Sequence, residues 1–282
     1  MNYPMTLCRT KPELQDALKA QGANPIVGFV PTMGALHEGH LSLVRQAKRE
    51  NEVVVVSVFV NPIQFNNAED LETYPRDLDR DLVLLKEVGC TIVFAPENAE
   101  MYPETPHETY SFGALEAVME GAFRPGHFNG VAIVVKRLFD LIKPTTAYFG
   151  EKDFQQLAII RALVEQENLA VEIVGCPIIR EKDGLAMSSR NARLAEDDRR
   201  IAPQIQKILR DGRDLRDVFS PTQLKTFVEE QLKKIPRTKL EYFEIVNAKT
   251  LQPIELWSDC PRRIACVAIW LGGVRLIDNV KI

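Results

Sequence analysis

Apolar residues along this chain follow two alternating rhythms. Short β-branched runs alternate with stretches whose apolar positions fall three or four apart, the marks of strand and helix. Residues 25–30 predict a short strand, a Pro-Thr-Met-Gly turn follows at 31–34, and a helix begins near His37 with Leu41, Val44 and Ala47 on one stripe. Residues 52–60 form a β-branched run, as expected of a central strand buried on both faces. Residues 77–88 predict a helix closed by Gly89, and 91–95 a strand stopped by Pro96. A helix over 128–142 carries Val131, Val134, Leu138 and Leu141 on one face, and is followed by a strand at 146–149, a helix at 153–166 and a strand at 171–175. Strands alternating with such helices imply βαβ units and a parallel sheet, in which ligands bind outside the carboxyl ends of the strands. The loops after Val30, Val60, Phe149 and Gly175 are therefore the places to look for chemistry.

The rhythm changes near residue 180. Two polar amphipathic helices are predicted at 196–213 and 222–234, then strands at 240–248 and 263–271 with no helix between them, and a Gly272-Gly273 hairpin into 274–277. The expected fold class is thus α/β: a Rossmann-like parallel sheet flanked by helices, with a smaller C-terminal α+β domain. The expected division is 1–179 and 180–282. A length of 282 residues supports two domains, against about 150 residues for one.

Composition narrows the classes. A net charge of -4 argues against a chain built to coat nucleic acid or an anionic membrane, though a local basic pocket for a small anion stays open. No apolar run approaches the roughly 20 residues a membrane span needs. The opening residues Met1-Asn2-Tyr3-Pro4 lack the pattern of a secretion signal. Five scattered cysteines with no CxxC pair fit free, buried thiols and a cytoplasmic setting.

Three motifs could carry chemistry. The first, Pro31 to His40, leaves a strand and opens a helix, with His37 and His40 three residues apart and so on one face. A helix N-terminus offers unpaired N–H groups and partial positive charge, a seat for phosphate that two imidazoles could reinforce. Capping histidines or part of a zinc site also fit that spacing, although no third metal ligand is indicated. The second motif, Phe149-Gly150-Glu151-Lys152-Asp153-Phe154-Gln155-Gln156, again joins strand to helix: Gly150 permits close approach, Lys152 can neutralise phosphate and Asp153 can cap the helix. The third, Arg180 to Asn191, contains an Asp183-Gly184 turn followed by Met187-Ser188-Ser189-Arg190, donors suited to phosphate oxygens or to capping in an interdomain linker. Asn61 and Gln64 follow the long strand with neutral amides that could orient a hydroxyl or carboxylate, and Arg124 to Phe128 adds an Arg and a His in a loop. Asp77, Asp79 and Asp81 read as a solvated helix face rather than a metal cluster. Walker and Gly-x-Gly-x-x-Gly loops are absent.

His37-Glu38-Gly39-His40 resembles the HIGH-type signature of the nucleotidyl-transferase superfamily, and Met187-Ser188-Ser189-Arg190 resembles its second phosphate loop. With Pro31–His40, Val58–Phe65, Tyr74-Pro75-Arg76, Arg124–Val131, Phe149–Leu157 and Gly184–Asn191 in this order, the set is similar to the pantoate–β-alanine ligase family. That resemblance implies ATP-dependent condensation of pantoate with β-alanine through a pantoyl-adenylate, with ATP as co-substrate and Mg²⁺ beside it. It implies no nucleic-acid or membrane partner, and a homodimer. By resemblance, ATP meets Met33, Gly34, Ala35, Leu36, His37, Glu38, Gly39 and His40, then Gly150, Glu151, Lys152 and Asp153, then Ile179 and Met187, Ser188, Ser189 and Arg190. His40, His37, Lys152, Ser188, Ser189 and Arg190 are the expected catalytic donors, and Gln64, Gln156 and Asn61 the substrate-binding amides. No protein ligand for the metal is indicated, and the second domain is expected to shield the adenylate from water.

Overall fold

The structure, a computed structural model, describes residues 5–282, so the reading of Met1–Pro4 lies outside it. The chain runs β1 (Thr6–Cys8), α1 (Lys11–Lys19), β2 (Val27–Thr32), α2 (Glu38–Glu50), β3 (Val53–Val58), α3 (Ala68–Glu72), α4 (Leu78–Glu87), β4 (Ile92–Phe94) and α5 (Asn98–Met101). It continues through α6 (Met119–Phe123), α7 (His127–Ile142), β5 (Thr146–Gly150), α8 (Phe154–Gln166) and β6 (Glu172–Cys176). The last part holds α9 (Glu196–Ile201), α10 (Pro203–Asp214), α11 (Pro221–Lys233), β7 (Thr238–Asn247), β8 (Arg263–Leu271) and β9 (Val274–Lys281).

These elements form two compact units. The first takes residues through Phe112 together with Arg124–Glu151 and Ile159–Pro177; the second takes Gly113–Phe123, Lys152–Ala158 and Ile178–Ile282. The expected boundary at 179/180 lies two residues beyond the passage into the second unit at Ile178, and two short earlier segments also belong to that unit.

The first unit is built on a parallel six-stranded sheet in the order β1-β4-β3-β2-β5-β6. β3 lies inside it, and Val53, Val54, Val55 and Val56 are all buried, which is why its sequence shows no polar alternation. β2 pairs with β3 on one side and β5 on the other, so the loops leaving β2, β3 and β5 emerge at neighbouring strand ends. β1 and α1 were not expected. Three residues are too few to show a period, but α1 carried a local signal: Thr10 and Glu13 form a reciprocal capping box, with Pro12 in the first turn.

The second unit is built on the antiparallel sheet β7-β8-β9. Alternate residues of β8 serve two cores. Ala265, Val267, Ile269 and Leu271 pack with Leu209, Leu224 and Val228 of α10 and α11. Ile264, Cys266 and Ala268 pack with Met119, Leu115, Val118, Phe154 and Ala158. This second core is what draws residues 113–123 and 152–158 into the unit. The helix expected over 196–213 is two helices, because Pro203 cannot donate the hydrogen bond that would continue the first. Gly272 and Gly273 turn the β8–β9 hairpin at φ +55° and +83°. All five cysteines are buried and unpaired. No helix among the described residues is long and apolar enough to cross a membrane.

Candidate active site

β2 ends at Thr32, and the chain turns through Gly34 (φ +78°) and Ala35 (φ +50°) before α2. Gly34 N–H donates back to the Thr32 hydroxyl (3.2 Å). The buried Thr32 hydroxyl donates to the Ser57 carbonyl (2.7 Å), anchoring the loop to β3. Asp81 of α4 reaches across: one carboxylate oxygen accepts from Ala35 N–H (2.9 Å) and the other from Leu36 N–H (2.8 Å).

His37 is the N-cap of α2 in extended backbone. Its Nδ1 accepts from Gly39 N–H (3.1 Å), while His40 Nδ1 accepts from His37 N–H (3.4 Å). The two rings lie 4.0 Å apart. Because each Nδ1 lone pair accepts from the backbone, each neutral ring carries its proton on Nε2 and presents a donor there. Both histidines therefore cap the helix and supply Nε2–H groups: the capping and phosphate-site readings of the motif are compatible. Glu38 is exposed and pairs with Arg45.

The reading of the three aspartates as a solvated face needs correction. Asp77 and Asp79 are exposed, but Asp81 is 1% exposed and holds the signature loop. Burial pushes its carboxyl up, and the N–H bonds of Leu36 and Ala35 oppose that only in part. No local signal separated it from its neighbours, since its partners lie 45 and 46 residues away. Asp81→Asn keeps the shape but leaves one acceptor for two N–H donors. The expected result is a fall in kcat of about tenfold or more through misplacement of the loop. Stability at neutral pH should change little, because the variant also removes a buried charge. With a raised folded-state pKa, Asp81 favours folding below the ordinary carboxylate range, and that contribution is lost as pH rises through the raised value. The variant's stability deficit should therefore shrink from pH 4 to pH 7 in thermal melts. An unchanged kcat would remove Asp81 from the machinery.

Beyond β3, the one-turn 3₁₀ helix Pro62–Gln64 presents Gln64. Gln64 Nε2 lies 3.1 Å from Met33 Sδ, which brings two predicted residues together. Asn61 is 1% exposed and donates to Gln64 Oε1 (3.0 Å) and the Gly130 carbonyl (3.1 Å), while accepting from Tyr102 Oη (2.7 Å). Gly150 closes β5, and a 3₁₀ turn over Glu151–Asp153 leads into α8.

In the second unit, Lys152 Nζ lies 3.9 Å from the Asp153 carboxylate, and the Lys152 carbonyl accepts from Asn279 Nδ2 (3.0 Å). Gln156 is half-buried in the first turns of α8. Gly184 (φ +96°) turns a tight loop in which Arg180 bridges Ala186. Met187 N–H donates to the Ile179 carbonyl (3.0 Å), so two predicted nucleotide contacts are adjacent. Ser188 caps the 3₁₀ helix Ser189–Arg193, its hydroxyl accepting from Arg190 N–H (3.3 Å). Arg180 serves the scaffold: its guanidinium grips buried Asp278 at 2.7 and 2.9 Å.

Among the described residues no group of three or more His, Cys, Asp or Glu is placed to hold a metal. The donor set is cationic and neutral, so a Mg²⁺ ion would come with a polyphosphate and be held by its oxygens and by water.

Comparison with known proteins agrees with this architecture. A family model described as pantoate-beta-alanine ligase matches residues 6–281. The chain is 52% identical over 280 residues to a pantothenate synthetase of Bacteroides fragilis, covering 98% of this chain and 99% of that one. It is 50% identical over 262 residues to one of Porphyromonas gingivalis, covering 93% of each. A crystal structure of pantothenate synthetase from Thermus thermophilus superposes with a TM-score of 0.92 at 45% identity, covering 98% and 99%. The pantoate-beta-alanine ligase of Francisella tularensis, complexed with beta-gamma ATP and beta-alanine, matches with a TM-score of 0.84 at 35% identity, covering 99% and 98%.

Proposed function

The chain belongs to the pantoate–β-alanine ligase family, and from that premise we propose how its own residues carry the reaction. The activity is ATP-dependent ligation of pantoate to β-alanine, forming the amide bond of pantothenate. The observation that carries the reading is the histidine pair at the start of α2. Two Nε2–H donors are fixed by backbone bonds just beyond the end of a central strand, and Met33 of the same loop contacts the Gln64 amide.

A carboxylate does not acylate an amine at neutral pH without activation. In the proposed first step a pantoate carboxylate oxygen attacks the α-phosphorus of ATP, and the bond to the bridging oxygen breaks to release pyrophosphate. In the second, the β-alanine amine attacks the acyl carbon of pantoyl-adenylate; the carbon–oxygen bond breaks, AMP leaves, and the amine gives up a proton. Negative charge concentrates around the α-phosphate in the first step. His37 and His40 meet it with N–H donors, and Lys152, Ser188, Ser189 and Arg190 with ammonium, hydroxyl and guanidinium groups. ATP is further assigned to Met33 through Glu38 and Gly39, to Gly150, Glu151 and Asp153, and to Ile179 and Met187. Gln64, Asn61 and Gln156 are assigned to the acid substrate, whose hydroxyls and carboxylate suit neutral amides. Mg²⁺ would travel with ATP and offset phosphate charge. The division expected at 179/180, a homodimer and a cytoplasmic setting belong to the same proposal.

Pyrophosphate release from ATP and Mg²⁺ with pantoate, measured with and without β-alanine, tests it. A pantoate-dependent burst that becomes steady turnover only with β-alanine is expected. Pyrophosphate formed only when both substrates are present would reject the adenylate route.

A further inference from the structure

α7 begins at His127 against the turn that presents Gln64. The His127 ring is 5% exposed. Its Nδ1 lies 2.8 Å from the Gln64 carbonyl oxygen, and its Nε2 lies 3.1 Å from Arg124 Nη1. A carbonyl only accepts and a guanidinium only donates, so the two contacts set the ring's state together: Nδ1 carries the proton and Nε2 accepts. His127 is a neutral imidazole in one tautomer, locked between a cation and a backbone oxygen.

The contact is close by construction. A Cβ on Gly130, one turn along α7, would stand 2.6 Å from the Ile63 carbonyl and 2.9 Å from Gln64 Cα. Only glycine lets the helix lie this near the turn. The Gly130 carbonyl in turn accepts from Asn61, which also holds the Gln64 side chain. Gln64 is thus gripped twice: its amide by Asn61 and Met33, and its backbone by His127.

We propose that His127 is a positioning residue for the acid substrate, holding the Gln64 turn so that the Gln64 amide meets pantoate in one geometry. The inference rests on the reading that Gln64 binds pantoate. His127 touches no reacting atom; its effect passes through the Gln64 backbone, and an amide held in register loses less freedom when the substrate arrives. A ring serving only as packing would be replaceable by phenylalanine.

The test compares His127→Phe, His127→Asn and Gln64→Ala in the full chain. Phenylalanine keeps the ring and removes both nitrogens, whereas asparagine can keep the donor to the Gln64 carbonyl. Loss of that bond should raise KM for pantoate by up to about tenfold in His127→Phe, with KM for ATP within about twofold of the parent. His127→Asn should restore most of the difference. Equal rises for both substrates, or no rise for pantoate, would overturn the proposal. An unchanged pantoate KM in Gln64→Ala would instead reject the assignment of Gln64, so the two failures are distinguishable. Should His127→Phe not fold, nitrogen-15 spectra of the histidine-labelled parent still decide. The chain has four histidines, so His127→Asn identifies the signal by its disappearance. A protonated Nδ1 and a bare Nε2 at neutral pH are expected; the opposite tautomer would refute the assignment.

Discussion

Replacing His40 by alanine should lower kcat by about 10²–10³ while leaving the melting temperature near that of the parent. The catalytic loss follows from removing one donor aimed at charge that develops around the α-phosphate. The small structural cost follows from what His40 does in the resting fold. It is half-buried, its Nδ1 accepts from His37 N–H across a long 3.4 Å, and alanine is a good residue for a first helical turn. His37→Ala is the less clean probe, because it also removes the N-cap of α2, worth about 0.5–2 kcal/mol. The measurement is rapid-quench pyrophosphate formation at saturating ATP and pantoate, beside a thermal melt. If the His40 variant forms pyrophosphate at the parent's rate and slows only in amide formation, the histidine acts in the second step and the assignment to the first is wrong.

Arg275→Ala should destabilise the second unit by roughly 3–5 kcal/mol. Arg275 of β9 makes a bidentate pair with Glu120 of α6 at 2.7 and 2.8 Å and also grips Glu241 of β7. The three side chains are 15%, 11% and 16% exposed. Burial works against the guanidinium charge, but the hydrogen bonds and charges of Glu120 and Glu241 outweigh it and push the Arg275 pKa above its ordinary value. Removing the cation strands two carboxylates, and the Tyr242 hydroxyl, which donates to Glu120 at 2.8 Å, cannot neutralise them. Glu120 N–H also donates to the Gln155 side chain (2.9 Å), so the damage reaches the start of α8 beside Lys152. Chemical denaturation would read the loss. Combining Arg275→Met with Glu120→Gln and Glu241→Gln should recover much of it, because no buried charge is then unpaired. A loss below about 1 kcal/mol for Arg275→Ala would show that solvent already screens the cluster.

The family was legible in the chain because its signature is carried by local words. His37 and His40 are three residues apart, and Met187 to Arg190 are consecutive, so the resemblance needed no tertiary knowledge. The parallel sheet was legible for the same kind of reason. An unbroken apolar run such as Val53–Val56 has few homes except a strand covered on both faces. α1 carries a local signal too, in the reciprocal cap of Thr10 and Glu13. Asp81 was not legible: it stands two residues from Asp79 in the same helix, and only a loop 45 residues earlier in the chain makes it different.

The chain alone yields the alternation of strands and helices behind the parallel sheet, and the family. Each of these depends on spacing within a turn or a strand, where covalent geometry places the side chains. Which groups hold the loops and side chains in place depends on packing in three dimensions. The Asp81 carboxylate under Ala35 and Leu36, the His127 ring on the Gln64 carbonyl 63 residues away, and Arg275 on Glu120 across 155 residues are all pairs of this kind. The placement of residues 113–123 with the second unit is another. Such partners are chosen by desolvation: a charge or backbone polar group removed from water must find its match wherever packing brings one, and no local pattern records where that is.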